Sequence, residues 1–244
     1  MIGSNGIESS NFIYKETLRV HLIKVPGFDD VAKADSEALE DLASYLSATY
    51  DKNVRMSGII YLQSITNRIM SYSARYNLDM FQKLCGSDCM PNIILATTWW
   101  DSVYPSVGAA NEQELIQTQG FLGFMHSHGS VVMRHSRGRE SAMAILELAL
   151  RKRRRLTLQI QREINIEGLN LYETEAGREL TKFLLEKKEW LEYKLEEVGE
   201  DIEKALKLQR TDLLEELKQK RSHLQDKLDR LLSDKALTAG STSP

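Results

Sequence analysis

The chain has 244 residues, of which 42% are hydrophobic and 27% charged, and its net charge is −3. These values are typical of a folded globular protein and give no general bias toward nucleic acid or membranes. The only two cysteines, Cys85 and Cys89, exclude a disulfide framework, and without a second Cys/His pair they are weak metal ligands. No apolar run approaches the ~20 residues of a membrane span. With no secretory signal at the amino terminus, a cytoplasmic location is expected.

The first ~150 residues alternate apolar strands with amphipathic helices, a pattern that predicts an α/β fold. We expect a doubly wound parallel sheet with helices on both faces. In chain order, the predicted elements are a strand at Leu18–Val25, a helix from Asp35 or Ser36, a strand at Gly58–Leu62, a helix that stops at Gly86, a strand at Asn92–Thr98, a helix at Asn111–Gln119, a short strand at Val131–Met133 and a helix at Glu140–Arg154.

The composition changes after Leu150. The basic run RKRRR at 151–155 closes a helix, where cations interact favourably with the carbonyl end. Nuclear import or binding to anionic lipid is the alternative reading of this run. The predicted organisation is a domain over 1–156, a connector over 157–177, a long helix over 178–233 and a small, polar, disordered tail over 234–244.

Leucines recur every eleven residues in the predicted long helix. This spacing gives ~3.67 residues per turn, so the apolar seam runs straight or winds gently right-handed. A helix of this length spans roughly 80 Å, more than the preceding domain can cover. We therefore expect self-association or a partner helix, with packing against the chain's own domain as the alternative. The two main rows are Leu180, Leu191, Ile202, Leu213 and Leu224, and Leu184, Leu195, Leu206, Leu217 and Leu228.

Two short segments follow predicted strands and suggest nucleotide chemistry. The turn VPGFDD begins at Val25, and TTWWD at 97–101 follows an apolar strand. At such a strand end, a carboxylate at Asp101 could accept hydrogen bonds from the N1–H and 2-amino groups of guanine, which adenine does not offer. The indole of Trp99 could cover the face of a purine. The alternative is an aromatic pair that packs on the neighbouring helix.

Together with FQKLCG, Met133–His135 and TLQIQREI, these motifs resemble the G-domain proteins abundant in filamentous fungi, which belong to the septin-like and immune-associated branch of P-loop GTPases. The resemblance covers roughly residues 7–180. It implies a P-loop NTPase-like fold that binds GTP or GDP with Mg²⁺, often with a helical extension used for self-association. By position, the resemblance implies that Gly27 contacts the γ-phosphate and that Asp101 accepts hydrogen bonds from guanine. Thr98 would support the loop that carries Asp101, and Trp99 stands at the position of the lysine in that loop. The segment Met133–His135, which includes His135, would border the base pocket.

The phosphate side of this pattern is incomplete. No Gly-x-x-x-x-Gly-Lys-Ser/Thr motif occurs, and Lys24 and Val25 stand where the family has Asp-Thr. Only Ser9 or Ser10 lies near the position of the Mg²⁺-binding threonine. The family's strand before this motif lies centrally, so its absence would leave unpaired strand edges. We therefore expect a truncated or degenerate family member with weak or no GTP binding and no hydrolysis. The alternative is a coiled-coil scaffold with a passive α/β domain. No catalytic or metal-ligating residue is predicted.

Overall fold

A computed structural model describes residues 6–28, 34–66, 70–136, 138–152 and 155–239. Its strands are β1 (Glu8–Tyr14), β2 (Leu18–Lys24), β3 (Ile59–Ser64), β4 (Ile93–Thr98) and β5 (Val131–Arg134). Its helices are α1 (Asp35–Asp51), α2 (Tyr72–Cys85), α3 (Pro105–Gln117), α4 (Phe124–Ser127), α5 (Arg139–Lys152), α6 (Gln159–Asn165), α7 (Glu175–Lys207), α8 (Thr211–Leu232) and α9 (Lys235–Ala239). The predicted α/β class is confirmed.

The central sheet has three parallel strands in the order β3-β4-β5. The middle strand β4 is buried along almost its whole length, as expected for the apolar run IILATT. Alternate side chains of this strand point to opposite faces, so Ile93 and Leu95 join the main core while Ile94 and Ala96 face a second cluster. Helix α2 packs on the first face and α5 on the second, where Ile145 contributes. Helices therefore cover both faces of the sheet.

The first predicted strand does not belong to this sheet. Strand β2 pairs antiparallel with β1, and the two form a separate hairpin in which Tyr14 lies opposite Leu18. The expectation of one sheet that includes Leu18–Val25 was therefore wrong. A three-residue turn connects β1 to β2, and Lys15 and Glu16 in this turn adopt positive φ. Such a short connection favours antiparallel pairing of the two strands.

The expected long carboxy-terminal helix is present as α7, with 33 residues, but its expected continuation to residue 233 was wrong, because the chain reverses between α7 and α8. Gln209 adopts a left-handed conformation with φ 54°, and α8 packs back along α7. Leu191 of α7 and Leu224 and Leu228 of α8 belong to one core cluster, so the helices bury much of the leucine seam against each other. The pairing is antiparallel because only three residues, 208–210, connect the two packed helices. Accordingly, Asp234, two residues after α8, accepts a hydrogen bond of 3.5 Å from the Ser36 amide at the start of α1.

The amino-terminal end of α7 is anchored to the sheet domain. The hydroxyl of Thr174 accepts a hydrogen bond of 3.0 Å from the Gly177 amide, which caps the helix. The buried carboxylate of Glu163 also accepts from the Glu175 amide, where negative charge is favourable. Helix α6 supplies Glu163 from within the segment predicted as a connector, so this segment is a packed part of the core.

The predicted disordered tail begins with an ordered helix. In α9, Ala236 is fully buried against the core that includes α7, and Lys235 forms an ion pair of 3.0 Å with Glu40. The expectation of disorder was therefore wrong for 234–239. Small residues are common in flexible tails, but they also pack closely against a helix. Residues 240–244 lie outside the described part of the chain. Within that part, no helix combines the length and the apolar character that crossing a bilayer requires.

Candidate functional site

The carboxyl ends of β3, β4 and β5 lie at the same end of the sheet, because the three strands are parallel. In open α/β sheets, ligands bind in the crevice outside the carboxyl ends of the strands. The loop after β4 begins with Trp99, and the loop after β5 begins with His135. A hydrogen bond of 2.7 Å from the His135 amide to the Thr97 carbonyl joins the start of the loop after β5 to the end of strand β4, two residues before Trp99. Candidate residues from two segments are thus brought to neighbouring positions.

A polar network centred on the buried residues Thr97 and Glu112 lies at these strand ends. The hydroxyl of Thr97 donates to Oε1 of Glu112 over 2.9 Å, and the guanidinium of Arg134 donates to Oε2 of the same carboxylate over 2.5 and 2.8 Å. The Arg134 guanidinium also lies 4.2 Å from the ring centre of Trp100. The Trp100 indole N–H in turn donates to the Thr97 carbonyl over 3.1 Å. Charge-assisted bonds of this kind fix the positions of the side chains that make them.

The two tryptophans of TTWWD have different surroundings. Trp100 packs into the network, whereas Trp99 is 54% exposed. Trp99 also has φ 65° and ψ 33°, a left-handed conformation that is uncommon for a bulky residue and costs about 1–3 kcal/mol. The turn continues into a short 3₁₀ helix, Trp100–Ser102, that presents Asp101 at the surface. The alternative reading, packing of an aromatic pair, therefore describes Trp100 and not Trp99.

Thr98 and His135 have structural partners on either side of this turn. The Thr98 hydroxyl donates to the Gln63 carbonyl over 3.2 Å, which ties the end of β4 to the end of β3. Nδ1 of His135 lies 2.9 Å from the Ser141 hydroxyl of α5. Thr98 thus joins the ends of two neighbouring strands directly before the turn that begins with Trp99.

Gly27 has different neighbours. The amide of Phe28 donates to Oδ1 of Asn77 in α2 over 2.5 Å, and Asn77 donates to the Phe28 carbonyl over 2.9 Å. A Cβ atom on Gly27 would lie 2.8 Å from the same Oδ1. The crevice beside this turn is lined mainly by apolar side chains and includes none of the candidate residues after β4 and β5. Its lining residues are Gly6, Ile7, Val25, Pro26, Phe28, Ala38, Asp41 and Leu42.

The residues on the phosphate side do not fit a magnesium-bound triphosphate. Nζ of Lys24 lies 3.7 Å from the Glu8 carboxylate, across the β1-β2 hairpin. In the described ranges, no group of three or more His, Cys, Asp or Glu side chains is arranged to hold a metal ion. Asp29 and Asp30 of the VPGFDD motif lie outside these ranges. Among the described residues, the turn after β4 therefore presents an exposed indole and a carboxylate, whereas the surroundings of Gly27 and Lys24 lack the groups that hold a magnesium-bound triphosphate.

Sequence reasoning missed Glu112, which lies on the buried side of α3 at 8% exposure. Its neighbour Asn111 is also buried and donates to the Ile65 carbonyl over 2.8 Å. Two adjacent polar residues in an otherwise amphipathic helix give little signal, since an exposed pair has the same pattern. The partners of Glu112, Thr97 and Arg134, come from two strands, and the partner of Asn111, the Ile65 carbonyl, directly follows a third.

No family model matches this chain, and its sequence matches no curated protein.

Proposed function

We propose that this chain is a P-loop GTPase-like G-domain module that recognises a guanine base weakly and does not hydrolyse GTP. The observation that carries the proposal is the conformation of Trp99, which is left-handed and half-exposed immediately before Asp101. Strained residues cluster at binding sites, where the surrounding structure holds them in the conformation that a ligand requires. The indole stacks on the purine, and the Asp101 carboxylate accepts from N1–H and the 2-amino group.

The polar network next to the turn supports this arrangement. Thr97 and Arg134 both donate to the Glu112 carboxylate, and the Trp100 indole N–H donates to Thr97. A turn on a rigid base loses little conformational entropy when a ligand binds. The proposal therefore needs no movement of the strand ends.

The phosphate contribution should be small. Asn77 holds the backbone next to Gly27, and Lys24 is paired with Glu8. A working G domain gains much of its affinity from backbone amides, a lysine and Mg²⁺ around the phosphates. One stacking contact and one charged hydrogen-bond pair correspond to a dissociation constant on the order of 1 mM.

Calorimetric titration with GMP, GTP and AMP, each with and without Mg²⁺, tests the proposal. We expect GMP and GTP to bind with similar, weak affinity that Mg²⁺ does not change, and AMP to bind at least about fivefold more weakly, because adenine lacks the two donors. Asp101→Ala should remove the preference for guanine, whereas Asp226→Ala, an exposed carboxylate on α8, should not. Micromolar, Mg²⁺-dependent GTP binding would show a phosphate grip and contradict the proposal. Equal binding of GMP and AMP would contradict guanine recognition.

A second candidate function is self-association through the tip of the α7-α8 hairpin. Three leucines are exposed there: Leu206 is 57%, Leu208 73% and Leu213 38% accessible. Clustered apolar side chains at a protruding tip are typical of interaction surfaces. Light scattering over a range of concentrations should detect a dimer that Leu206→Glu combined with Leu208→Glu converts to monomer. A concentration-independent monomer in the unmodified chain would reject this candidate.

A further inference from the structure

The turn after β4 exposes a second aromatic side chain in addition to Trp99. Tyr104, directly before α3, is 82% exposed. Two residues between these aromatic side chains face the protein instead. A Cβ atom on Gly108 of α3 would lie 3.0 Å from Cζ3 of Trp100 and 3.1 Å from Cγ2 of Val103. The turn is therefore attached to α3 through Trp100 and Val103, and it presents Trp99 and Tyr104 to solvent.

Trp99 and Tyr104 lie close enough for one small ligand to reach both. The Ser102 amide donates to the Trp99 carbonyl over 3.1 Å, which closes a turn, and the Cα atoms at the two ends of such a turn are less than ~7 Å apart. Two further residues lead to Tyr104 and add at most ~7 Å. The two Cα atoms are therefore within about 14 Å of each other, a span that two nucleosides joined by a phosphodiester can bridge.

The backbone of Tyr104 is held in place without a ligand. Pro105 is the first residue of α3, and a proline restricts the residue before it to extended conformations. Tyr104 has φ −62° and ψ 142°, within that region, and its carbonyl accepts a hydrogen bond of 2.9 Å from the Gly108 amide. A tyrosine ring has few side-chain torsions to order, so stacking a ligand on it costs little conformational entropy.

The charges at this site favour a ligand with few phosphates. Asp101 lies between the two exposed aromatic residues in the sequence. The Arg134 guanidinium, 4.2 Å from the ring centre of Trp100, is already paired with the Glu112 carboxylate. Among the described residues, those around Lys24 also lack the groups that hold a magnesium-bound triphosphate. A phosphodiester carries a single negative charge, whereas a triphosphate carries several, so a ligand that gains affinity from a second stacked base suits this turn better than GTP.

We propose that the turn after β4 binds a guanine-containing dinucleotide unit, with guanine at Trp99 and Asp101 and the second base stacked on Tyr104. This inference rests on the proposed function, because the guanine site defines where the second base lies. Stacking on an aromatic ring does not select among bases, so the second position should tolerate any of them. Single-stranded nucleic acid and a free dinucleotide are both possible sources, since each offers two bases joined by a phosphodiester.

Calorimetric titration with GMP, GpA, ApG and ApA tests the inference. We expect either GpA or ApG, but not both, to bind about tenfold more tightly than GMP, because one stacking contact is added and the turn has a single direction. Tyr104→Ala should reduce the affinity for this dinucleotide to that for GMP and leave GMP binding unchanged, while Tyr104→Phe, which keeps the ring, should retain the gain. Because the Tyr104 side chain is mostly exposed, both variants should fold. Tyr193→Ala, at a tyrosine 61% exposed on α7, is the matched control and should have no effect.

The outcomes separate this inference from the proposed function. If GpA and ApG bind no more tightly than GMP, or if Tyr104→Ala keeps the gain, the second-base site is overturned and guanine recognition stands. If ApA binds as tightly as the preferred dinucleotide, guanine recognition fails and this inference fails with it. A hexanucleotide with the preferred pair at its centre, flanked by uridines, distinguishes the sources. Binding as tight as that of the dinucleotide indicates a single strand, and much weaker binding indicates a free dinucleotide.

Discussion

Replacing Gly177 with alanine is expected to destabilise the protein by about 1–3 kcal/mol, the usual effect of overpacking. Gly177 lies in the first turn of α7, where a Cβ atom would be 2.1 Å from the Leu171 carbonyl oxygen and 2.6 Å from the Tyr172 Cα atom. Ordinary contacts of a Cβ atom are 3.4–4 Å. Both neighbours are backbone atoms, so rotation of a side chain cannot relieve the contact. The amino-terminal end of α7, which begins after Thr174, must therefore move away from the Leu171–Glu173 turn.

Gly199 provides a matched control in the same helix, because a Cβ atom there has nothing within 4 Å. Gly199→Ala should stabilise the protein by up to about 1 kcal/mol through helix propensity alone. Urea denaturation followed by circular dichroism gives both free energies of unfolding. Equal effects of the two substitutions would refute the close approach of α7 to the Leu171–Glu173 turn, and with it the described attachment of the helical hairpin to the sheet domain.

Two further predictions concern the thiols and the α7-α8 turn. Burial raises the pKa of Cys89 to about 11 and that of Cys85 well above 9.0, so native thiols should react with iodoacetamide far more slowly at pH 8 than thiols in urea. Both pKa values are raised on folding, so the contribution of the thiols to stability is complete below about pH 9 and decreases as pH rises toward 11. Cys89→Ala should therefore reduce the change in the free energy of unfolding over this pH range. Gln209→Gly should stabilise the protein by about 0.5 kcal/mol, since glycine adopts the left-handed conformation at φ 54° without steric penalty, and thermal melts measure the change. A lower melting temperature for Gln209→Gly would contradict this turn geometry.

Much of the sheet domain could be predicted because its signals are local. The run IILATT is long, apolar and bounded by turn residues, and the structure has β4 at Ile93–Thr98. Helix α2 ends at Cys85, directly before Gly86, whose φ of 75° explains the termination. The strand β1 was not predicted, because its first residues, ESSN, are polar and its pairing with β2 depends on the turn between them.

The reversal of the long helix could not be predicted from the repeat. The eleven-residue rows continue through Leu206 and Leu213, yet both are exposed near the turn, while Leu214, outside the rows, is buried. No glycine or proline marks the break at 208–210. An apolar seam can be covered by a second molecule or by the chain itself, and periodicity is the same in both cases. Here much of it is covered by the chain itself.

The candidate site was predictable only in part. Thr98 ends a strand that the sequence predicts, and Trp99 and Asp101 come directly after it. Because the sheet is parallel, all three residues lie where the carboxyl ends of the strands meet. The strain at Trp99 and the separate contact of Gly27 with Asn77 depend on tertiary packing that one sequence does not reveal.

The most direct test of guanine recognition is the indole N–H signal of each tryptophan in a two-dimensional NMR titration. The chain has three tryptophans, Trp99, Trp100 and Trp190, so single Trp→Phe variants assign every signal. Saturating GMP should shift the Trp99 signal most, the Trp100 signal less, and leave Trp190 on α7 unchanged, whereas AMP should shift none of them appreciably. An unmoved Trp99 signal, or equal shifts with GMP and AMP, would contradict the proposed site.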